Sequence, residues 1–246
     1  MKLTSFNMKI AKFLVLSILL GTSTTMLAQI TGGGRVGVNF ANLRGSSVQN
    51  NSMMIGYNIG GFVNYGLEDL LSGDISEIMS IQAELSVQTK GATLDFPNTD
   101  GTLEPPVKSV DQVFTYVQIP LLAKFTFKNK NDMKFFGEGG IFMGSLFGLT
   151  IDGEKSWDND GDKGTDSRKY REEYSGFDFG VTIGGGAAIP FGGRKSPWEA
   201  FANVRFSPGL INIGQAKEKT DETLIPYLKD VKTTTISLLV GVAYKF

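Results

Sequence analysis

Between Met79 and Lys90 the chain reads M-S-I-Q-A-E-L-S-V-Q-T-K, and two chemistries alternate along it without a slip. Met79, Ile81, Ala83, Leu85, Val87 and Thr89 take the odd positions, and Ser80, Gln82, Glu84, Ser86, Gln88 and Lys90 the even ones. Successive side chains of a β-strand point to opposite faces, so a period of two predicts a strand with one apolar and one polar face. At about ten residues it is long enough to cross a bilayer at the tilt a barrel imposes. The same test predicts strands over about Arg35–Asn42, Ile55–Leu67, Thr115–Phe127, Lys134–Leu149, Phe177–Phe191, Trp198–Phe206 and Thr235–Phe246. The last is as regular as the stretch at Met79. The one over Lys134–Leu149 is less so: Phe135, Ile141, Met143, Phe147 and Leu149 share one face, but Phe136 and Phe142 fall on the face of Glu138.

The connections alternate in length, long after the first, third, fifth and seventh strands and shorter after the second, fourth and sixth. Transmembrane barrels show this pattern, with long extracellular loops, short periplasmic turns and both termini in the periplasm. The turn Glu68–Ile78 is somewhat long for it.

Alternation leaves open whether the apolar face looks inward or toward lipid, and three features favour lipid. Tyr65, Phe125, Phe127, Phe135, Phe191, Trp198, Tyr244 and Phe246 cluster on that face near the periplasmic strand ends, as an interfacial girdle would. The polar face is crowded with Gly, Ser and Asn, which suit a narrow lumen better than a solvated surface. The chain also ends in Tyr244-Lys245-Phe246 on an amphipathic strand. The expectation is an all-β, eight-stranded antiparallel up-and-down transmembrane β-barrel with long extracellular loops.

Four segments also carry a resemblance: V-G-V-N-F-A-N-L (36–43), I-Q-A-E-L-S-V-Q-T-K-G-A (81–92), Y-V-Q-I-P-L-L-A-K-F (116–125) and L-L-V-G-V-A-Y-K-F (238–246). In this order they resemble the PorT-like outer-membrane β-barrel family of Bacteroidetes-type bacteria, across essentially all of the mature chain. The resemblance implies an eight-stranded barrel. One group of that family takes part in protein secretion, and most of its members have no assigned activity. The loops here are longer and more acidic than the family pattern, so the secretion role is not carried over.

Composition narrows the picture. Lys2, Lys9 and Lys12 precede an apolar run from Phe13 to Leu20 and then Met26-Leu27-Ala28, which predicts a signal peptide over 1–28, cleaved after Ala28, and a barrel domain over 29–246. That run is too short to span a membrane as a helix, and no later stretch is apolar for long enough. The chain has no Cys, hence no lipoprotein anchor or disulfide. Its net charge of −1 offers no footprint for nucleic acid. The 31 glycines amount to about twice the usual share. No His is present, which removes the commonest acid–base catalyst and metal ligand.

Candidate chemistry lies on the polar face and in one loop. Arg35, Lys90, Lys124, Arg205 and Lys245 face the lumen with Glu84, Glu138, Asp178 and Glu199. Isolated charges are costly there, so Arg35, Glu84, Lys124, Glu138, Asp178 and Arg205 are expected to form an interior charge network. An eight-stranded lumen is just wide enough for side chains to fill, so a structural plug is favoured over an ion pathway. The loop at 158–166 carries Asp158, Asp160 and Asp162 among glycines, a weak candidate for calcium. With Asp158 first, Lys163 stands where a calcium loop needs Gly and Lys169 where it needs Glu, so a solvated loop is favoured. Gly184-Gly185-Gly186 and Thr31–Gly34 open no helix and do not fit a phosphate cradle. No cofactor is expected.

The sequence therefore favours a non-enzymatic outer-membrane protein, structural or partner-binding through its extracellular loops. Its expected partners are outer-membrane lipid and an extracellular or envelope protein. The alternatives are a membrane-embedded enzyme, disfavoured without His or a Ser/Asp constellation at matched strand ends, and a secretion-associated envelope component. A pore is disfavoured by the filled lumen.

Overall fold

The computed structural model describes residues 30–46, 48, 51–68, 75–96, 108–129, 132–151, 154–155, 173–192, 196–215 and 229–246. Among them, eight long strands form the wall: β1 (Ile30–Arg44), β2 (Met54–Gly66), β3 (Met79–Phe96), β4 (Lys108–Lys128), β5 (Lys134–Ile151), β6 (Phe177–Pro190), β7 (Trp198–Pro208) and β8 (Lys232–Lys245). Each pairs antiparallel with its sequence neighbour, and β1 pairs with β8 from Thr31↔Lys245 to Arg44↔Lys232. The sheet therefore closes on itself and leaves no free edge in the wall. Two-residue ladders at Asn51–Ser52 and Glu154–Lys155 extend it locally at the extracellular end.

The faces follow the period-two pattern because register places every second side chain on one side. Ile59, Val63, Leu85, Ile119, Val204, Leu238 and Val240 stand exposed on the outer surface, where lipid replaces water as solvent. Arg35, Asn39, Gln82, Glu84, Ser86, Gln88, Arg205 and Ser237 are buried inside. At the periplasmic rim Phe191, Trp198, Tyr244 and Phe246 form a chain of ring contacts, with centroids 6.5, 4.9 and 5.0 Å apart. Phe125, Phe127 and Phe135 continue this exposed aromatic belt.

Several assignments change. Leu149 is buried inside rather than facing lipid. The β4–β5 register steps from Thr115↔Gly148 to Tyr116↔Leu146, so Phe147 is an extra, bulged residue. One extra residue reverses the parity beyond it, turning Leu149 inward. Thr89 is likewise buried, its hydroxyl accepting from the Tyr57 amide at 2.8 Å. A register step lies opposite it, since six steps from Ser52 to Asn58 face five from Gln88 to Thr93, and β3 keeps its parity with Gln88 and Lys90 both inward. Lys245 is exposed at the rim rather than enclosed.

β3, β4 and β5 run to 18, 21 and 18 residues, well beyond the roughly ten that a bilayer requires. Their upper thirds project past the membrane and enclose an apolar cluster of Leu43, Phe114, Tyr116, Leu146, Leu149, Ile213 and Val231. The chain folds over this cluster at the extracellular mouth. Ser175 donates to the Ile213 carbonyl at 2.7 Å, Gln215 to that of Glu173 at 2.7 Å and Ile213 to that of Val231 at 2.8 Å.

Candidate functional site

The inward residues of β3, taken from the periplasmic end upward, meet one layer of the lumen after another. The lowest layer is charged. Arg205 of β7 reaches across to β3, which lies opposite it in an eight-stranded ring. Its Nη1 and Nη2 donate to the two oxygens of Glu84 at 2.8 and 2.7 Å. The same guanidinium donates through Nε and Nη2 to Glu138 of β5 at 2.5 and 3.0 Å. Arg35 of β1 adds an ion pair to Glu84 at 2.5 Å. Gln82 donates to Glu84 at 2.5 Å and Asn203 to Glu138 at 2.7 Å. Arg suits the central place because its planar fork serves two carboxylates at once, which a single ammonium cannot.

Lys124 is opposite Glu138 in the β4–β5 register, yet Glu138 takes Arg205 and Asn203 as its partners. The Lys124 Nζ instead lies 3.9 Å from the centre of the Phe136 ring and 3.4 Å from the Gln82 oxygen. Beside it the Phe62 and Phe201 rings pack edge to face, with centroids 5.6 Å apart. Their room comes from glycine: a Cβ at Gly33 would lie 2.5 Å from Phe62, and one at Gly241 would lie 2.7 Å or less from Phe201.

Above the charges, amides take over. Gln88 accepts from Asn39 at 3.1 Å and from Asn58 at 2.9 Å, and donates to Gln118. Ser237 donates to Asn39 at 2.7 Å, so this layer ties five strands together. Higher again, the fully buried Lys90 pairs with Asp178 of β6 at 2.8 Å, and Thr233 of β8 donates to the same carboxylate oxygen at 2.8 Å. The Lys90 Nζ also lies 4.0 Å from the Phe142 ring centre and 5.3 Å from that of Tyr116. Alternation along β5 turns Phe142 inward with Glu138, where its ring receives the Lys90 cation, and the irregular pattern of β5 was the signal for it. The apolar cluster at the extracellular mouth closes the stack.

The lumen therefore gathers Arg35, Glu84, Glu138 and Arg205 into one network, leaves Lys124 at its margin, and holds Asp178 apart with Lys90. Lys134 and Glu199 pair at the periplasmic rim. Sequence reasoning missed Thr233, Asn203 and the ring partners of the two lysines. Asp158, Asp160 and Asp162 lie outside the described residues. Among the described residues no cluster of three or more His, Cys, Asp or Glu could hold a metal ion.

A family model described as outer membrane protein beta-barrel domain matches residues 27–215. No curated protein matches significantly. Among solved structures, neisserial surface protein A shares 12% identity at a TM-score of 0.45, over 89% of this chain and 97% of that one. OprG from Pseudomonas aeruginosa shares 12% at 0.40, over 88% and 94%. Ail, the attachment invasion locus protein of Yersinia pestis, shares 12% at 0.37, over 87% and 98%. The chain belongs to the outer membrane protein beta-barrel domain family and is an integral β-barrel of the bacterial outer membrane.

Proposed function

We propose that this barrel is a non-enzymatic envelope protein whose lumen serves as a rigid internal scaffold and whose extracellular loops bind a protein partner. The observation that carries this reading is the cross-barrel bonding of Arg205 from β7 to Glu84 on β3 and Glu138 on β5. A guanidinium held by two carboxylates braces opposite walls and fills the space a solute would need. The Lys90–Asp178–Thr233 group and the apolar cluster repeat this bracing nearer the extracellular end. A braced wall gives the segments between β3 and β4, between β5 and β6 and between β7 and β8 a stiff frame, and binding residues are disproportionately carried on loops so held. Export through the basic and apolar leader at 1–28 belongs to the same reading, and the family match from residue 27 supports it. So does membership of the PorT-like, Bacteroidetes-type branch, which the four sequence segments support.

The test separates loops from wall. A variant with 97–107, 156–172 and 216–228 each replaced by a short Gly/Ser turn is expected to insert and to keep the urea unfolding midpoint of the parent. In crosslinked outer membranes it should lose the protein adduct that the full-length chain forms. An adduct of unchanged size and yield from the trimmed barrel would overturn the assignment of binding to the loops.

A further inference from the structure

The periplasmic half of the lumen holds a cavity of ≈ 10 Å³, room for about one water-sized group, lined by Arg35, Lys124, Arg205, Glu138 and the rings of Phe62 and Phe201. We propose that this cavity is a binding site for one small monovalent anion of the halide class.

Charge balance is the first argument. Arg35, Lys124 and Arg205 bring three cations to this layer, and Glu84 and Glu138 bring two anions. The nearby Glu199 cannot supply the missing charge, because Lys134 already pairs with it. One positive charge is thus left over in a lumen surrounded by lipid, where an unmatched charge is costly. A single monovalent anion restores neutrality.

Donor geometry is the second. The Arg35 side chain is only 2% exposed and spends one nitrogen on Glu84. Its Nε and Nη1 are enclosed with no acceptor, on a residue that lines the cavity. Lys124 uses its ammonium on one long bond to Gln82 and on the Phe136 ring, which leaves donor capacity for a further acceptor. Guanidinium and ammonium groups with spare N–H bonds favour an anion over a neutral group.

Size selects within that class. Room for about one water-sized group matches a monatomic ion better than phosphate, sulfate or a metabolite carboxylate. The flanking Phe62 and Phe201 suit an ion such as chloride or bromide, which loses its water shell at lower cost than sulfate or phosphate.

The test uses the whole mature barrel refolded in detergent and in lipid. Crystals soaked in sodium bromide, measured at the bromine absorption edge, should show one anomalous peak in this cavity. In solution the urea unfolding midpoint should rise with chloride or bromide and saturate, whereas sulfate at equal ionic strength should give only the non-saturating rise of an excluded salt. Lys124→Met brings the layer to two cations and two anions, so it should lose both the peak and the halide response. Water alone in the cavity, bromide only on the outer surface, or an equal response to sulfate would each overturn the proposal. If Lys124→Met does not refold, the bromide peak and the halide-against-sulfate comparison on the unmodified barrel decide the matter alone.

Discussion

Arg205 is the side chain on which the lower lumen turns, because two carboxylates depend on it at once. Replacing it by Met would leave Glu84 with Arg35 and Gln82 and Glu138 with only Asn203 for a donor. Breaking a buried pair by removing one partner costs about 3–5 kcal/mol, most of it the charge left behind. Arg205→Met should therefore destabilise by about that much, and adding Glu138→Gln to it should recover part of the loss. Urea unfolding in lipid vesicles would measure both, and strict additivity within about 0.5 kcal/mol would mean that the two groups do not interact. The same cycle on Lys124 and Glu138 should couple far less, since those residues share register but not a bond. A second residue-scale effect lies outside the membrane. Asp230 accepts from the Ser46 amide at 2.9 Å and pairs with Lys232 at 3.0 Å. The Ser46 hydrogen bond first, and Lys232 after it, hold its carboxyl below the ordinary carboxylate range. A depressed folded value means that this contact stabilises the rim above the unfolded pKa of about 3.9 and is lost as pH falls through the folded one. Carboxyl NMR titration should find Asp230 below the ordinary value and should find it raised in Lys232→Met.

At the scale of the strand, the wall tests side-chain volume differently on its two faces. Gly241 faces inward beneath the Phe201 ring, and an added methyl there would collide with that ring and with the backbone of β1. Gly137 faces outward, and an added methyl would meet nothing within 4 Å. Gly241→Ala should cost about 1–3 kcal/mol, as overpacking does, whereas Gly137→Ala should be close to neutral by the same refolding titration. Charge reverses the contrast: Leu85→Arg or Val240→Arg at mid-membrane should cost about 2–4 kcal/mol. Ser86 is a poor luminal comparison for Arg, because it is already buried and packs directly against Gly60 of β2, so close that Gly60 itself could not take a methyl. These strands were readable in the sequence because both faces are strictly specified, and a slip of one residue would put Glu84 into lipid. What could not be read were the step opposite Thr89 and the bulge at Phe147. A bulge leaves no mark in a period-two pattern except a reversal of parity, and near a strand end too few residues follow to reveal it. Leu149 is apolar and so fits either face by composition; only the paired register shows which one it takes.

At the scale of the whole molecule, neighbours in sequence were predictable and partners across the lumen were not. Hairpin logic places Lys124 opposite Glu138, but the choice of Arg205 by Glu138 depends on the width of the closed ring and on the reach of a guanidinium from β7. The network was therefore visible as a set of inward charges and invisible as a set of bonds. Its layered form leads to a prediction about permeability. The charged layer, the amide layer, the Lys90–Asp178–Thr233 group and the extracellular apolar cluster each cross the lumen with their own bonds or contacts. An eight-stranded barrel is already near the limit at which side chains fill the interior, so one intact layer is enough to block hydrated ions. Opening the top by Ile213→Gly should therefore leave the barrel non-conducting, because Lys90, Gln88 and Arg205 still fill the levels below. Removing only Arg205 should weaken the fold without opening a path, because the amide layer and the apolar cluster remain. Planar bilayer recordings on the parent and on each single variant are expected to show no steady single-channel current. Steady current through Ile213→Gly alone would show that the extracellular cluster is the sole seal and that the lower layers are wide enough to pass water and ions.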